Sequence, residues 1–136
     1  MDANYPPARE TLGLVYEQQG RTDEAVAELK TAVALSHGEH GLGSLGHVYA
    51  EQGRGDDVRN VLRLLAERSR HAYLSPYETA LVFAGLGYND QALECLKKPY
   101  AERSLSVAFL RFDPRLAKVR EEPRFQEFVH DVGLPF

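Results

Sequence analysis

The chain has 136 residues and carries 16 Lys and Arg against 20 Asp and Glu, for a net charge of -4 and a pI near 5.7. That acidic balance argues against a nucleic-acid or anionic-membrane partner, either of which calls for a basic face. The single cysteine, Cys95, excludes an internal disulfide framework and fits a reducing compartment. No apolar run approaches the roughly 18 residues of a membrane span, and the N-terminus lacks a signal-peptide core. One compact, cytoplasmic unit is the expectation.

A first helix is predicted from near Pro7, since proline is tolerated in a first turn, to about Gln19. Leu12, Val15 and Tyr16 recur at i, i+3 and i+4 and should mark one buried stripe. Gly20 supplies the stop. Thr22 or Asp23 is expected to cap the next helix, with Glu24 facing its dipole favourably. Ala25, Val26, Leu29, Ala32 and Val33 form its inner face, Ala25 being small because the two helices of a hairpin cross there.

Gly38, Gly41, Gly43 and Gly46 crowd the next junction. Gly41-Leu-Gly-Ser-Leu-Gly46 spells GxGxxG, but that motif binds a dinucleotide only between a strand and a helix. Here a helix precedes it, so a weakened helix is expected instead, each interior glycine costing up to about 1 kcal/mol relative to alanine. This helix continues through Gln52 and turns at Gly53-Arg-Gly55. Its partner is capped by Asp56 or Asp57, carries Val58, Val61, Leu62, Leu64 and Leu65, and runs to about Arg70.

Ser75, Pro76 and Glu78 read as cap, first helical residue and capping-box acid of a fifth helix. The sixth runs from Asn89 through Leu93 and Leu96, and Pro99 predicts a kink or break between Lys97 and Tyr100. Ser104 to Phe112 is short and apolar. Asp113-Pro-Arg-Leu116 and Glu122-Pro-Arg-Phe125 are two further helix starts nine residues apart. The last helix, Pro123 to about Asp131, puts Phe125, Phe128 and Val129 on one stripe, and Gly133 ends it.

Three of these hairpins are written in register. Tyr16, Tyr49 and Phe83 lie 33 and 34 residues apart. Each is followed at the same offset by a turn: Gly20-Arg-Thr-Asp-Glu-Ala25, Gly53-Arg-Gly-Asp-Asp-Val58 and Gly87-Tyr-Asn-Asp-Gln-Ala92. A period near 34 with Leu-Gly-x-x-Tyr and a later Ala-x-x-x-Leu resembles the tetratricopeptide repeat. The resemblance implies an all-α, helical-hairpin solenoid of three repeats, at 6–38, 39–72 and a degenerate 73–103. Residues 104–136 would form a C-terminal helical cap, which solenoids need to seal an end. Asp2-Ala3-Asn4-Tyr5 looks like an inter-repeat joint, so the chain is read as beginning where an upstream repeat ended, its first helix lacking a neighbour.

Tyr73-Leu-Ser-Pro-Tyr-Glu-Thr-Ala-Leu-Val-Phe-Ala-Gly-Leu-Gly87, Tyr100-Ala-Glu-Arg-Ser104, Phe112-Asp-Pro-Arg115, Glu122-Pro-Arg-Phe125 and Gly133-Leu-Pro135 also resemble a C-terminal module of bacterial multidomain signalling proteins. There the repeats follow a cyclase-like, protein-kinase or winged-helix domain. The resemblance implies a regulatory, protein-binding segment. Pro99 departs from the family's usual alanine, and Leu116 from its common phenylalanine.

Nothing in the residues points to an enzyme. Cys95 lies in a helix with no evident base beside it, and no serine sits in a nucleophile elbow. His37, Glu39, His40 and His47 are close in sequence, but His40 and His47 would stand about 10 Å apart on one helix, too far for one ion. Neither a metal nor another cofactor is expected. The concave face of the first helices is the candidate peptide-binding groove: Glu10, Leu14, Glu17, Gln18, His47, Glu51, Tyr77 and Leu81, with Gly43 deepening it. Some tetratricopeptide proteins clamp a partner's terminal carboxylate there with Lys, Asn and Arg. The corresponding Glu10, Leu14, Ser44 and Leu81 cannot do so. A neutral to basic, partly apolar protein segment is the expected partner, with homo-oligomerisation through the exposed first helix as the alternative.

Overall fold

A computed structural model describes residues 5–71, 76–101 and 113–132, with the side chains of 5–68, 77–97, 113–128 and 130. The described residues are helical, without strands, and form a tetratricopeptide-like hairpin solenoid. Six helices come first: α1 (Pro6–Gln18), α2 (Thr22–Ser36), α3 (Leu42–Glu51), α4 (Gly55–His71), α5 (Pro76–Gly85) and α6 (Asn89–Ala101). A 3-10 turn (Pro114–Leu116), α7 (Ala117–Arg120) and α8 (Pro123–Val132) follow. The expected joint at Asp2 to Asn4, the Ser75 cap, the stretch 104–112 and the Gly133 stop lie outside the described residues.

Helices α1 and α2, α3 and α4, and α5 and α6 pack as hairpins, and α3 packs along α5. Each hairpin turns on a glycine in the left-handed region, Gly20 (φ 76°), Gly53 (φ 71°) and Gly87 (φ 80°), where a side chain would be strained. The turns share a further device. Arg21 lies 4.4 Å over the Tyr16 ring and pairs with Glu24, and Arg54 lies 4.4 Å over Tyr49 and pairs with Asp57. Contacts of this kind contribute about 0.5–1 kcal/mol each and pin the turn to the preceding helix. At the third turn Tyr88 replaces the arginine and stacks on Phe83, with ring centroids 6.5 Å apart.

Close helix approach explains the glycines better than helix weakening does. A Cβ on Gly43 would stand 2.6–2.9 Å from the Cβ, Cα and carbonyl oxygen of Glu78. One on Gly46 would stand 2.6 Å from Val82, and one on Gly85 2.9 Å from the carbonyl oxygen of His47. Three absent side chains thus let α3 and α5 meet backbone to backbone. Gly43 therefore does not deepen a groove; Glu78 fills the space. Gly13 plays the same part within the first hairpin, where a Cβ would stand 2.7 Å from Leu29 Cγ.

Two apolar clusters result. Val26, Leu29, Leu42, Leu45, Val48, Tyr49, Val58, Val61, Leu65 and Val82 join α2, α3, α4 and α5. Tyr77, Ala80, Leu81, Ala92, Leu93, Leu96, Leu116, Val119, Phe125 and Phe128 join α5 and α6 to the C-terminal elements. Leu116 is fully buried there, so the smaller residue fits.

Four local expectations need correction. Val15 is 44% exposed, and the α1 residue that is buried is Gly13. Arg21, without a side-chain cap bond, precedes α2, whose first residue is Thr22. Asp56 and Asp57 lie inside the first turn of α4, which begins at Gly55. Helix α6 runs through Pro99 to Ala101 without the expected break.

Candidate functional site

The sequence brings α1, α3 and α5 side by side, and the 3-10 turn after Asp113 folds across them. Asp113 caps its own turn, accepting from the Arg115 backbone N–H at 2.9 Å. It also accepts from Arg115 Nε (3.0 Å), Arg115 Nη2 (2.8 Å) and the Tyr77 hydroxyl (2.5 Å). Arg115 Nη1 reaches Ser44 Oγ on α3 at 2.7 Å, and Ser44 Oγ donates towards Glu10 on α1 at 3.4 Å. The side chains of Asp113 and Arg115 are 3% and 8% exposed. Arg115 and the Tyr77 hydroxyl hold the Asp113 carboxyl below its ordinary range despite burial, which pushes the other way. Burial, with Asp113 adjacent, pushes the Tyr77 hydroxyl up.

Beside this strap lies a pocket of about 430 Å³ lined by Glu17, Gln18, His47, Glu51, Gly85, Arg115 and Lys118 among others. On its floor His47 Nδ1 stands 2.6 Å from Glu17 Oε2 and 3.4 Å from Glu51 Oε1. The Glu17 side chain is 5% exposed, and its Oε1 is enclosed without a hydrogen-bond partner. Burial pushes Glu17 up, but the His47 bond outweighs it together with smaller contributions, and the net shift is downward. Glu51 goes the other way, pushed up to about 7 by desolvation and by Glu17 beside it.

The eight groove residues therefore divide. Tyr77 and Leu81 are 9% and 3% exposed and belong to the core under the strap, so they do not line an open groove. The reason is the fold of Asp113 to Val119 over α5, which helix periodicity alone does not reveal. Glu17 and His47 form a buried pair. Glu10 and Leu14 are half-buried, while Gln18 and Glu51 are open. The histidines that lie close in sequence are separated in role: His40 lies 3.6 Å from Glu10, and His37 carries a left-handed backbone after α2.

The GxGxxG segment opens α3 without a preceding strand among the described residues. The Gly43 N–H donates to Glu78 Oε1 at 3.3 Å, so a side-chain carboxylate already occupies the place a phosphate would take. Burial, with Glu10 nearby, pushes Glu78 up to about 7. A raised carboxyl pKa contributes stability that is complete below the unfolded value of 4.5 and is lost as pH rises towards 7. Glu78→Gln is therefore expected to be more stable than the parent at pH 8 by about 2 kcal/mol, the difference vanishing below pH 5. Urea unfolding at the two pH values checks this.

Stacked helical hairpins presenting an inner face define a class of interaction scaffold. Residues 6–36, which span α1 and α2, match the family model described as Tetratricopeptide repeat. Such repeats are in general non-enzymatic scaffolds that bind proteins or peptides. No curated protein and no solved structure matches the chain. Among the described residues, no helix is long and apolar enough to cross a membrane.

Proposed function

We propose that the chain is a non-enzymatic protein-interaction module, with repeats at 6–38, 39–72 and 73–103 and a cap at 104–136. It serves as a regulatory segment of a cytoplasmic bacterial signalling protein. The signalling context rests on the resemblance of Tyr73 to Leu134. The observation that carries the binding reading is the row of Glu10, Glu17 and Glu51 on α1 and α3. Of these, Glu17 and Glu51 line, with Gln18, the pocket beside the strap, the Glu17 side chain buried and the Glu51 carboxylate open. That surface suits a neutral to basic segment with apolar character.

Display of a random peptide library should enrich lysine- or arginine-bearing sequences. Glu51→Lys, at a 48%-exposed side chain, should weaken the best of them at least tenfold with helix content intact. Enrichment of acidic peptides, or equal binding by the variant, rejects the reading. A second reading, self-association through α1, is favoured by the exposure of Tyr5 (55%) and Val15 (44%). Molar mass that stays monomeric up to high concentration would dispose of it.

A further inference from the structure

Glu17, His47 and Glu51 make more than an acidic edge. We propose that they form a binding site for one divalent first-row transition ion of the zinc type, with His47 Nδ1 and the two carboxylates as ligands. Among the described residues, these three place their ligand atoms within 4.8 Å of one another. Donors bound at about 2.1 Å to one ion stand roughly 3–3.5 Å apart. The 3.4 Å between His47 Nδ1 and Glu51 Oε1 already fits, and the 2.6 Å to Glu17 Oε2 needs a small opening. His47 and Glu51 share a helix face at i and i+4, and Glu17 faces them from α1.

An independent observation is the enclosed Oε1 of Glu17, on a side chain 95% buried (5% exposed), which has no hydrogen-bond partner. A cation bound by both Glu17 oxygens, or by Oε1 after a turn of the carboxylate, would satisfy the oxygen that no protein donor meets. The charge balance agrees. The imidazole and two carboxylates face the ion, while the nearby Arg115 guanidinium is committed to Asp113 and Ser44. The imidazole selects a borderline ion over Mg²⁺ or Ca²⁺, which prefer oxygen alone. The adjoining pocket leaves room for a water or a fourth donor.

The test uses the whole chain with Zn²⁺ alone in calorimetry, and with Co²⁺ as a visible-absorption probe. One ion per chain at micromolar Kd or tighter is expected, with a rise in Tm on zinc addition. Glu51→Gln, at a half-exposed position that leaves the core intact, should weaken binding at least tenfold and abolish the Tm rise. Glu17→Gln should do the same, and His40→Gln should change neither. Absence of stoichiometric binding, equal binding by Glu51→Gln, or loss in His40→Gln overturns the site. Because no peptide is present, these outcomes are separable from the fate of the interaction reading.

Discussion

Asp113→Ala is expected to cost about 3–5 kcal/mol, a large share of the stability of a domain this size. The carboxylate is the shared acceptor for the Arg115 backbone, two guanidinium nitrogens and the Tyr77 hydroxyl. Removing it leaves a guanidinium on a side chain only 8% exposed without its counter-charge. The strap that covers Tyr77, Leu81 and Leu93 would lose its anchor. Urea unfolding followed by far-ultraviolet circular dichroism measures the loss, and a change below about 1 kcal/mol refutes it. Asp113→Ala combined with Arg115→Met should recover part of the stability, since the stranded charge goes too. Acid should mimic the single variant. A depressed carboxyl contributes stability that is present above its ordinary value of 3.8 and lost as pH falls through its folded value.

The second large effect is expected from adding one methyl group. Gly43→Ala improves intrinsic helix propensity by about 1 kcal/mol. The new Cβ would nevertheless stand 2.7 Å from Glu78 Cα and 2.9 Å from its carbonyl oxygen, atoms that cannot rotate away. Helices α3 and α5 must part, disturbing the Gly46–Val82 and Gly85–His47 approaches as well. A net loss of about 2–3 kcal/mol, or roughly 10 °C in Tm, is expected. Gly55→Ala is the control, because its nearest neighbour is the flexible end of Arg59 at 3.5 Å. That variant should be neutral or slightly stabilised. Equal melting of the two would refute the close-packing account.

The hairpins were legible because their signals are local. Tyr16, Tyr49 and Phe83 with the turn glycines set the period, and Ala25, Leu29, Val58 and Leu93 follow helical spacing within single helices. The candidate site was half legible. Gln18 and Glu51 are exposed and Glu10 is half-buried, whereas Tyr77 and Leu81 are covered by a segment more than thirty residues away. The direction in which Asp113 to Val119 folds back is a tertiary fact with no periodic signature. The Glu17–His47 pair bridges 30 residues and two helices, so neither residue's neighbours announce it. Glycine was ambiguous in kind. One letter serves for a helix breaker and for a contact surface, and its partner Glu78 decides between them.

The Arg115–Ser44 bond joins positions 71 apart in the chain. A helical-repeat stack is close to a one-dimensional array, in which each unit touches only its neighbours and can melt in turn. A clasp from the C-terminal elements back to the second hairpin ties distant units into one transition. Unfolding should therefore be sharper than in an unclasped array, and the closing contact, being non-local, should form late and slow refolding. Cutting the clasp would turn one cooperative event into sequential fraying.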